Sequence, residues 1–387
     1  MRTNIGRRRL HLSLPLWSAL VTLVLYGSSN PIATTSYNAH LASRARAPHA
    51  TFTRVGELTF LDAEHGLARG ARCPETGPLS SCAYLWWATV DGGSTWRTLS
   101  ISLPRAPDQT VDLSIAPGLS MATVRDWFVL DAGIVLATHN GGRTWQQERR
   151  IGVVAQLLVL TGRILAVSSP CARDMHCSRR LFLSPNEGRT WRLASMRLPP
   201  DSSLLRAGND DALLLSNRLA SGDEGRTWYA LANPCPAHGP YPYGESVAAL
   251  DTKRLWQLCG GEPGAGEQEK FLYASDDGGR QWRPLASAHG SDRTRFPGTL
   301  PISGYIGSIV RTTPTRGWLV LQRQTLWATR DGGYHWYPAI PYDEANPGDP
   351  GIGPLAFVDA AHVWLGAQGR VYRTADGGAH WTAATLP

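Results

Sequence analysis

The stretch that decides the fold is Thr89-Val90-Asp91-Gly92-Gly93-Ser94-Thr95-Trp96, because the chain carries its pattern seven times. The other copies begin at Thr138, Ser184, Ser221, Ser275, Thr329 and Thr374, and close on Trp145, Trp191, Trp228, Trp282, Trp336 and Trp381. Each reads Ser or Thr, any residue, Asp or Asn, any residue, Gly, two more residues, Trp. The acidic-type position is Asp91, Asn140, Asn186, Asp223, Asp277, Asp331 and Asp376 in turn. Successive closing tryptophans lie 49, 46, 37, 54, 54 and 45 residues apart. That period matches a four-stranded propeller blade.

Working outward, nine residues before each closing tryptophan stands Trp87, Leu136, Phe182, Leu219, Tyr273, Trp327 or Tyr372, always large and apolar. The next residue is Ala88, Ala137, Leu183, Ala220, Ala274, Ala328 or Arg373, mostly small. A large-small alternation running into a Gly-containing turn predicts a strand entering a hairpin. In that turn Asp or Asn accepts hydrogen bonds from free backbone N–H groups, and Gly takes a conformation closed to residues with a Cβ. A second column, Trp127, Trp318 and Trp364, lies 18, 18 and 17 residues before its closing tryptophan, and Trp256 lies 26 before its own. Naming the strands A to D from the axis outwards, residues 355–359, 363–367, 370–374 and 381–384 read as the last blade.

The fold expected is therefore all-β: a seven-bladed β-propeller of four-stranded blades, with the repeated phrase in the C–D turn of each blade. It spans 51–387. Residues 51–55 read as an outer strand added to the seventh blade. The closing tryptophans, Trp96, Trp145, Trp191, Trp228, Trp282, Trp336 and Trp381, read as core residues packed between sheets. Residues 1–27, with Arg7-Arg8-Arg9 before an apolar run, have the layout of a secretory signal or an N-terminal membrane anchor. Residues 28–50, rich in Ser, Thr, Ala and Pro, read as a flexible linker. An exported protein, extracellular or held at the cell surface, follows as the expectation.

Net charge is +7, but six arginines, Arg2, Arg7, Arg8, Arg9, Arg44 and Arg46, belong to the leader and linker. The remainder is near neutral, so no nucleic acid partner is expected. Six cysteines follow the leader, and sequence proximity with the blade register favours the pairs Cys73–Cys82, Cys171–Cys177 and Cys235–Cys259. No metal or other cofactor is expected: Cys171 and Cys177 lack a two-residue spacing, and no histidine pair has ligand spacing. His335 and His380 stand where other copies have Thr and read as variants of a turn residue, while His139 reads as solvated.

Extra residues collect in the B–C loops (73–82, 169–179 and 260–269) and in the D–A linkers (103–123, 233–245, 286–305 and 341–353). Both kinds of connection leave a propeller on the same face. The scaffold thus confines its variable segments and its disulfides to one face, which points to function there. Tyr241, Tyr243, Glu245, Arg293, Arg295, Phe296 and Tyr305 gather aromatic surface and charge on it, the residue types that dominate binding hot spots.

The repeated phrase resembles the Asp-box, or bacterial neuraminidase repeat, which sialidases, xyloglucan-cleaving glycosidases, sortilin-type receptors and photosystem II stability/assembly factors share. Its Gly-Gly-x-Thr-Trp form in a single exported domain is most similar to the last group. The expectation is a monomer acting as a non-catalytic binding or assembly scaffold for a protein or glycan partner through the loop-rich face. A sialidase would imply an Arg-Ile-Pro motif, three arginines clamping a carboxylate, an Asp acid and a Tyr/Glu nucleophile pair. Arg54-Val55-Gly56 and Arg105-Ala106-Pro107 do not supply the motif, although Tyr243 and Glu245 stand close together. A glycoside hydrolase of the sialidase type is the alternative.

Overall fold

The computed structural model describes residues 51–74, 82–101, 118–131, 133–168, 178–208, 211–216, 218–235, 245–288, 294–321, 325–339, 352–367 and 369–387. By its contacts the chain divides into two units, 1–47 and 48–387. The first lies outside the described residues, as do the proposed leader, the whole linker and the Cys171–Cys177 pair. The second is all-β among the described residues.

Its strands form antiparallel meanders, in which each strand pairs with the one before it in sequence. Sheet I contains Thr51–Phe60, Gly66–Pro74, Ala83–Thr89 and Arg97–Leu99. Sheets II (118–147), III (154–198), V (306–338) and VI (352–385) repeat this four-strand order. Sheet IV (203–299) has nine strands: a meander from Ser203–Ala207 to Tyr229–Ala230, another from Glu245–Ala249 to Arg283–Ser287, and the added strand Gly298–Thr299. Except between sheets V and VI, first strands of successive meanders pack side by side, and that of sheet VI packs on that of sheet I, as the inner strands of a propeller do. The architecture is a β-propeller built of four-stranded blades.

Three expectations are corrected. Seven separate four-stranded sheets were expected; among the described residues five are separate. The other two meanders are fused because Ala207 and Ala249 at the ends of their first strands come close enough to make one parallel pair. Residues 51–55 do not extend the last sheet, since they begin Thr51–Phe60, the innermost strand of sheet I, paired from Thr51–Pro74 to Phe60–Gly66. The stretch 260–269 is not an open loop: Leu255–Gly264 and Glu267–Ser275 run on past the sheet as a two-stranded ribbon. Its two-residue tip, Ala265 and Gly266, has φ of 46° and 93°, the two successive left-handed residues of a hairpin turn that matches strand twist.

The core lies between sheets. Ala88, Ala137, Ala220, Ala274 and Ala328 are buried, and so are Trp127, Trp256, Trp318 and Trp364. Trp256 and Trp318 stand directly opposite Ala274 and Ala328 on the adjoining strand of their own sheets, while Ala88 shares a cluster with Trp127 of the neighbouring sheet; in each case the small residue leaves room for a ring. Sheets I and VI close on each other through one apolar cluster that includes Leu58, Trp87, Trp96, Trp364 and Leu386. Polar contacts cross the same seam: Trp364 Nε1 donates to the Gly92 carbonyl at 2.8 Å, and Trp87 Nε1 to the Pro387 carbonyl at 3.2 Å.

Candidate functional site

The seven repeated turns are built alike. At the first copy Thr89 Oγ1 donates to Asp91 Oδ1 at 2.8 Å and accepts from Gly93 N at 2.8 Å. Asp91 Oδ1 also accepts from Thr95 N at 2.9 Å, and Oδ2 from Thr95 Oγ1 at 2.6 Å. The same hydroxyl-to-carboxamide or hydroxyl-to-carboxylate contact recurs at Asn140, Asn186, Asp223, Asp277, Asp331 and Asp376. Where Thr becomes His, the ring nitrogen takes over: His335 Nδ1 and His380 Nδ1 lie 2.6 and 2.7 Å from their aspartate Oδ2 atoms. The acidic oxygens are thus committed to their own turns. His139 differs from expectation, since its Nδ1 lies 2.7 Å from Asp126 Oδ1, a carboxylate that also receives Arg189 at 2.8 Å.

Of the expected binding residues, Tyr241, Tyr243 and Arg293 lie outside the described residues. Glu245 opens the strand Glu245–Ala249 opposite Cys259; Gln257 Nε2 donates to it at 3.1 Å and to Cys235 Sγ at 3.2 Å. The Cys235–Cys259 disulfide is formed, as is Cys73–Cys82. Phe296 is only 2% exposed and packs edge-on against Tyr273, beside Cys259. It is a core residue of the disulfide region and not a surface anchor, because its ring is the apolar filler beneath the linker. Arg295 is exposed above it, 5.5 Å from the ring centre. Tyr305 is half-buried at the start of sheet V, beyond a different pin. That pin is Lys270, fully buried, whose Nζ donates to the carbonyls of Gln268, Pro301, Ile302 and Ser303 at 2.8–3.2 Å. The structure therefore brings Glu245, Phe296 and Arg295 towards one disulfide and leaves Tyr305 apart.

Sequence reasoning missed a cluster between sheets I and II. Arg69 is 1% exposed, and its Nε lies 3.6 Å from Glu57 Oε2. Burial pushes the Glu57 carboxyl up to about 7, against the opposing pull of the Leu119 amide and of Arg69. Burial likewise raises Tyr84 and Asp131, both within the electrostatic reach of Arg69. These residues are far apart in sequence and show no motif; only the pairing of Glu57 with Arg69 across the bulge at Val55 and Glu57 places them together.

A cavity of about 670 Å³ opens at the opposite end, where the first strands of each meander turn into the second. It is walled by the first strands of sheets IV, V and VI, with Arg206, Arg311 and Asp359 among its lining. No group of three or more His, Cys, Asp or Glu able to hold a metal occurs among the described residues, and no described helix is long and apolar enough to cross a membrane.

The sequence matches no protein-family model and no curated protein. Its fold does match solved structures. YCF48 bound to a D1 peptide aligns over 84% of this chain and 94% of its own, with 16% identity and a TM-score of 0.51. YCF48 from Cyanidioschyzon merolae aligns over 85% and 97%, with 15% identity and a TM-score of 0.51. An ancestral GH74 enzyme aligns over 87% of this chain at 13% identity and a TM-score of 0.55, the chain spanning 46% of that protein. The chain thus shares its β-propeller fold with these structures. At these identities the likeness is one of fold.

Proposed function

We propose that this chain is an exported, seven-bladed Asp-box propeller that binds a protein segment and acts as a scaffold without catalysis. Counting each meander of sheet IV as one blade gives the seven, and the single parallel pair between them supports that count. The observation that carries the binding reading is the gathering of both described disulfides, the pinned linker at Lys270 and the exposed Arg295 at the loop-rich end. Rigid connections that present charge lower the ordering cost of capturing a partner. A similar propeller, YCF48, has been solved with a D1 peptide bound, which makes a peptide segment the partner class to test first.

The test is crosslinking of the purified propeller to proteins of its own cell envelope. Arg295→Ala and Glu245→Gln, the latter keeping an acceptor for Gln257, should abolish crosslinking to one defined species while leaving thermal stability within about 2 °C, a shift expected of surface changes. Unchanged crosslinking by both variants refutes the loop-rich face as the site.

A second reading, glycoside hydrolysis, is favoured by the Glu57, Arg69, Tyr84 and Asp131 cluster, which combines an acid titrating near neutrality with a tyrosine and an arginine. Turnover of a fluorogenic sialoside that Glu57→Gln abolishes would establish it in place of the scaffold reading.

A further inference from the structure

The inner strand edges are a problem the fold has to solve, because each carries N–H groups with no strand beyond it. Side chains from neighbouring meanders cover several of them. Gln156 takes both the N–H and the carbonyl of Leu204, Glu57 accepts from Leu119 N, Gln268 from Ile306 N and Ser246 from Ile309 N. Space remains on the side of sheets IV, V and VI, where the 670 Å³ cavity opens. That volume falls within the range of pockets that enclose small organic ligands.

The cavity lining combines apolar walls with two arginines and one carboxylate. Leu205, Val247, Val310 and Phe357 supply apolar surface. Arg206, whose Nη2 also donates to the Val159 carbonyl, and Arg311, within the electrostatic reach of Asp276 and Asp251 outside the lining, supply the cations, while the one carboxylate in the lining, Asp359, is already consumed: Ala361 N, His362 N and His362 Nδ1 approach it at 2.7, 2.8 and 2.9 Å. Arg311 is nine-tenths buried, and its Nε and Nη1 have no hydrogen-bond partner among the described residues. Its Nη2 reaches the Pro314 carbonyl at 3.3 Å, and its guanidinium carbon sits 4.7 Å from the Trp256 ring centre. A buried guanidinium with two idle donors is costly unless an acceptor arrives. Guanidinium groups take carboxylates in a planar, two-bond geometry.

We propose that this cavity is a binding site for a small amphipathic carboxylate, its head group held by Arg311 and Arg206 and its apolar body lying between the inner strands. The site lies at the end of the molecule opposite the loop-rich face, so it stands or falls independently of the scaffold reading.

The test uses the whole propeller and the fluorescence of 1-anilinonaphthalene-8-sulfonate, an anion on an apolar body. Octanoate should displace the dye at least tenfold more effectively than octanol, which has the same tail without the charge. Arg206 Nη2 also donates to the Val159 carbonyl, so Arg206→Gln should weaken octanoate at least fivefold while octanol displacement stays as in the wild type, and Val247→Trp should block both dye and octanoate by filling the space. Equal displacement by octanol and octanoate, or wild-type octanoate affinity in both variants, overturns the proposal.

Discussion

The fourth and fifth positions of each repeated turn both have positive φ, from 52° to 81° and from 82° to 96° respectively. Five copies place Gly at the fourth position, but Glu187 and Glu224 occupy it in the third and fourth, at φ of 52° and 62°. A side chain in that region costs about 1–2 kcal/mol, partly offset by the greater unfolded-state freedom of Gly. Glu224 recovers something through Arg163, Arg192 and Arg226 at 3.4–3.8 Å. Among the described residues Glu187 has only the exposed Arg189 at 2.8 Å, a contact worth little. Glu187→Gly should therefore raise stability by about 0.5–1 kcal/mol in urea unfolding, whereas Glu224→Gly should not.

Glu57 sets a pH dependence. Its folded pKa, about 7, lies above the ordinary 4.5, so the folded state keeps a proton that the unfolded chain has lost. Its contribution to stability is complete below pH 4.5 and is lost as pH rises through 7, amounting to at most about 3 kcal/mol. Melting temperature measured from pH 5 to 8 should fall across this window in the wild type, and the fall should flatten in Glu57→Gln. The slope is the readout, because removing the charge also leaves Arg69 without its partner.

At the scale of elements, the turn and the strand it joins depend on each other. Gly378 has φ of 90°, and a Cβ placed there would stand 2.7 Å from the Trp318 ring of the neighbouring sheet. The glycine serves both the turn and the packing of the second tryptophan column. Gly378→Ala should cost about 2–4 kcal/mol, the sum of the backbone penalty and an overpacked core, read as a lower urea midpoint with unchanged slope. The ribbon Leu255–Gly264 and Glu267–Ser275 depends on Lys270 in the same way. Lys270→Met leaves four carbonyls without their donor, and about 3 kcal/mol or more should be lost. Hydrogen exchange should then rise first in 298–304, the segment it pins.

For the whole molecule the decisive contact is the seam between sheets I and VI. Every strand of sheet I comes from the start of the described chain and every strand of sheet VI from its end, so no shared sheet holds the ring shut. Closure rests on the apolar cluster and on bonds to the last residues, including Arg72 Nη2 to the Pro387 carbonyl at 2.9 Å. Removing residues 382–387 deletes the outer strand Thr382–Thr385 and the buried Leu386. The loss should reach about 4 kcal/mol or more by burial and hydrogen bonding combined; a change below 1 kcal/mol in urea unfolding would refute this account of closure.

The sequence by itself determined the repeat, the strand that enters each turn, the turn itself and two of the disulfide pairs. Those features are local: a Ser or Thr, an Asp or Asn and a Gly within five residues make their hydrogen bonds to one another, so the pattern and the geometry coincide. It also showed where long connections collect, although not that 260–269 forms a ribbon, since a glycine-rich stretch looks alike open or paired. The tertiary structure alone decided that Thr51–Phe60 is an inner strand, that Phe296 is buried, and that sheet IV is fused. It alone assembled Glu57 with Arg69 and opened the cavity at Arg206 and Arg311. In a propeller the faces of neighbouring sheets are joined by packing between residues tens to hundreds of positions apart, and no short-range periodicity records which side chains will meet there.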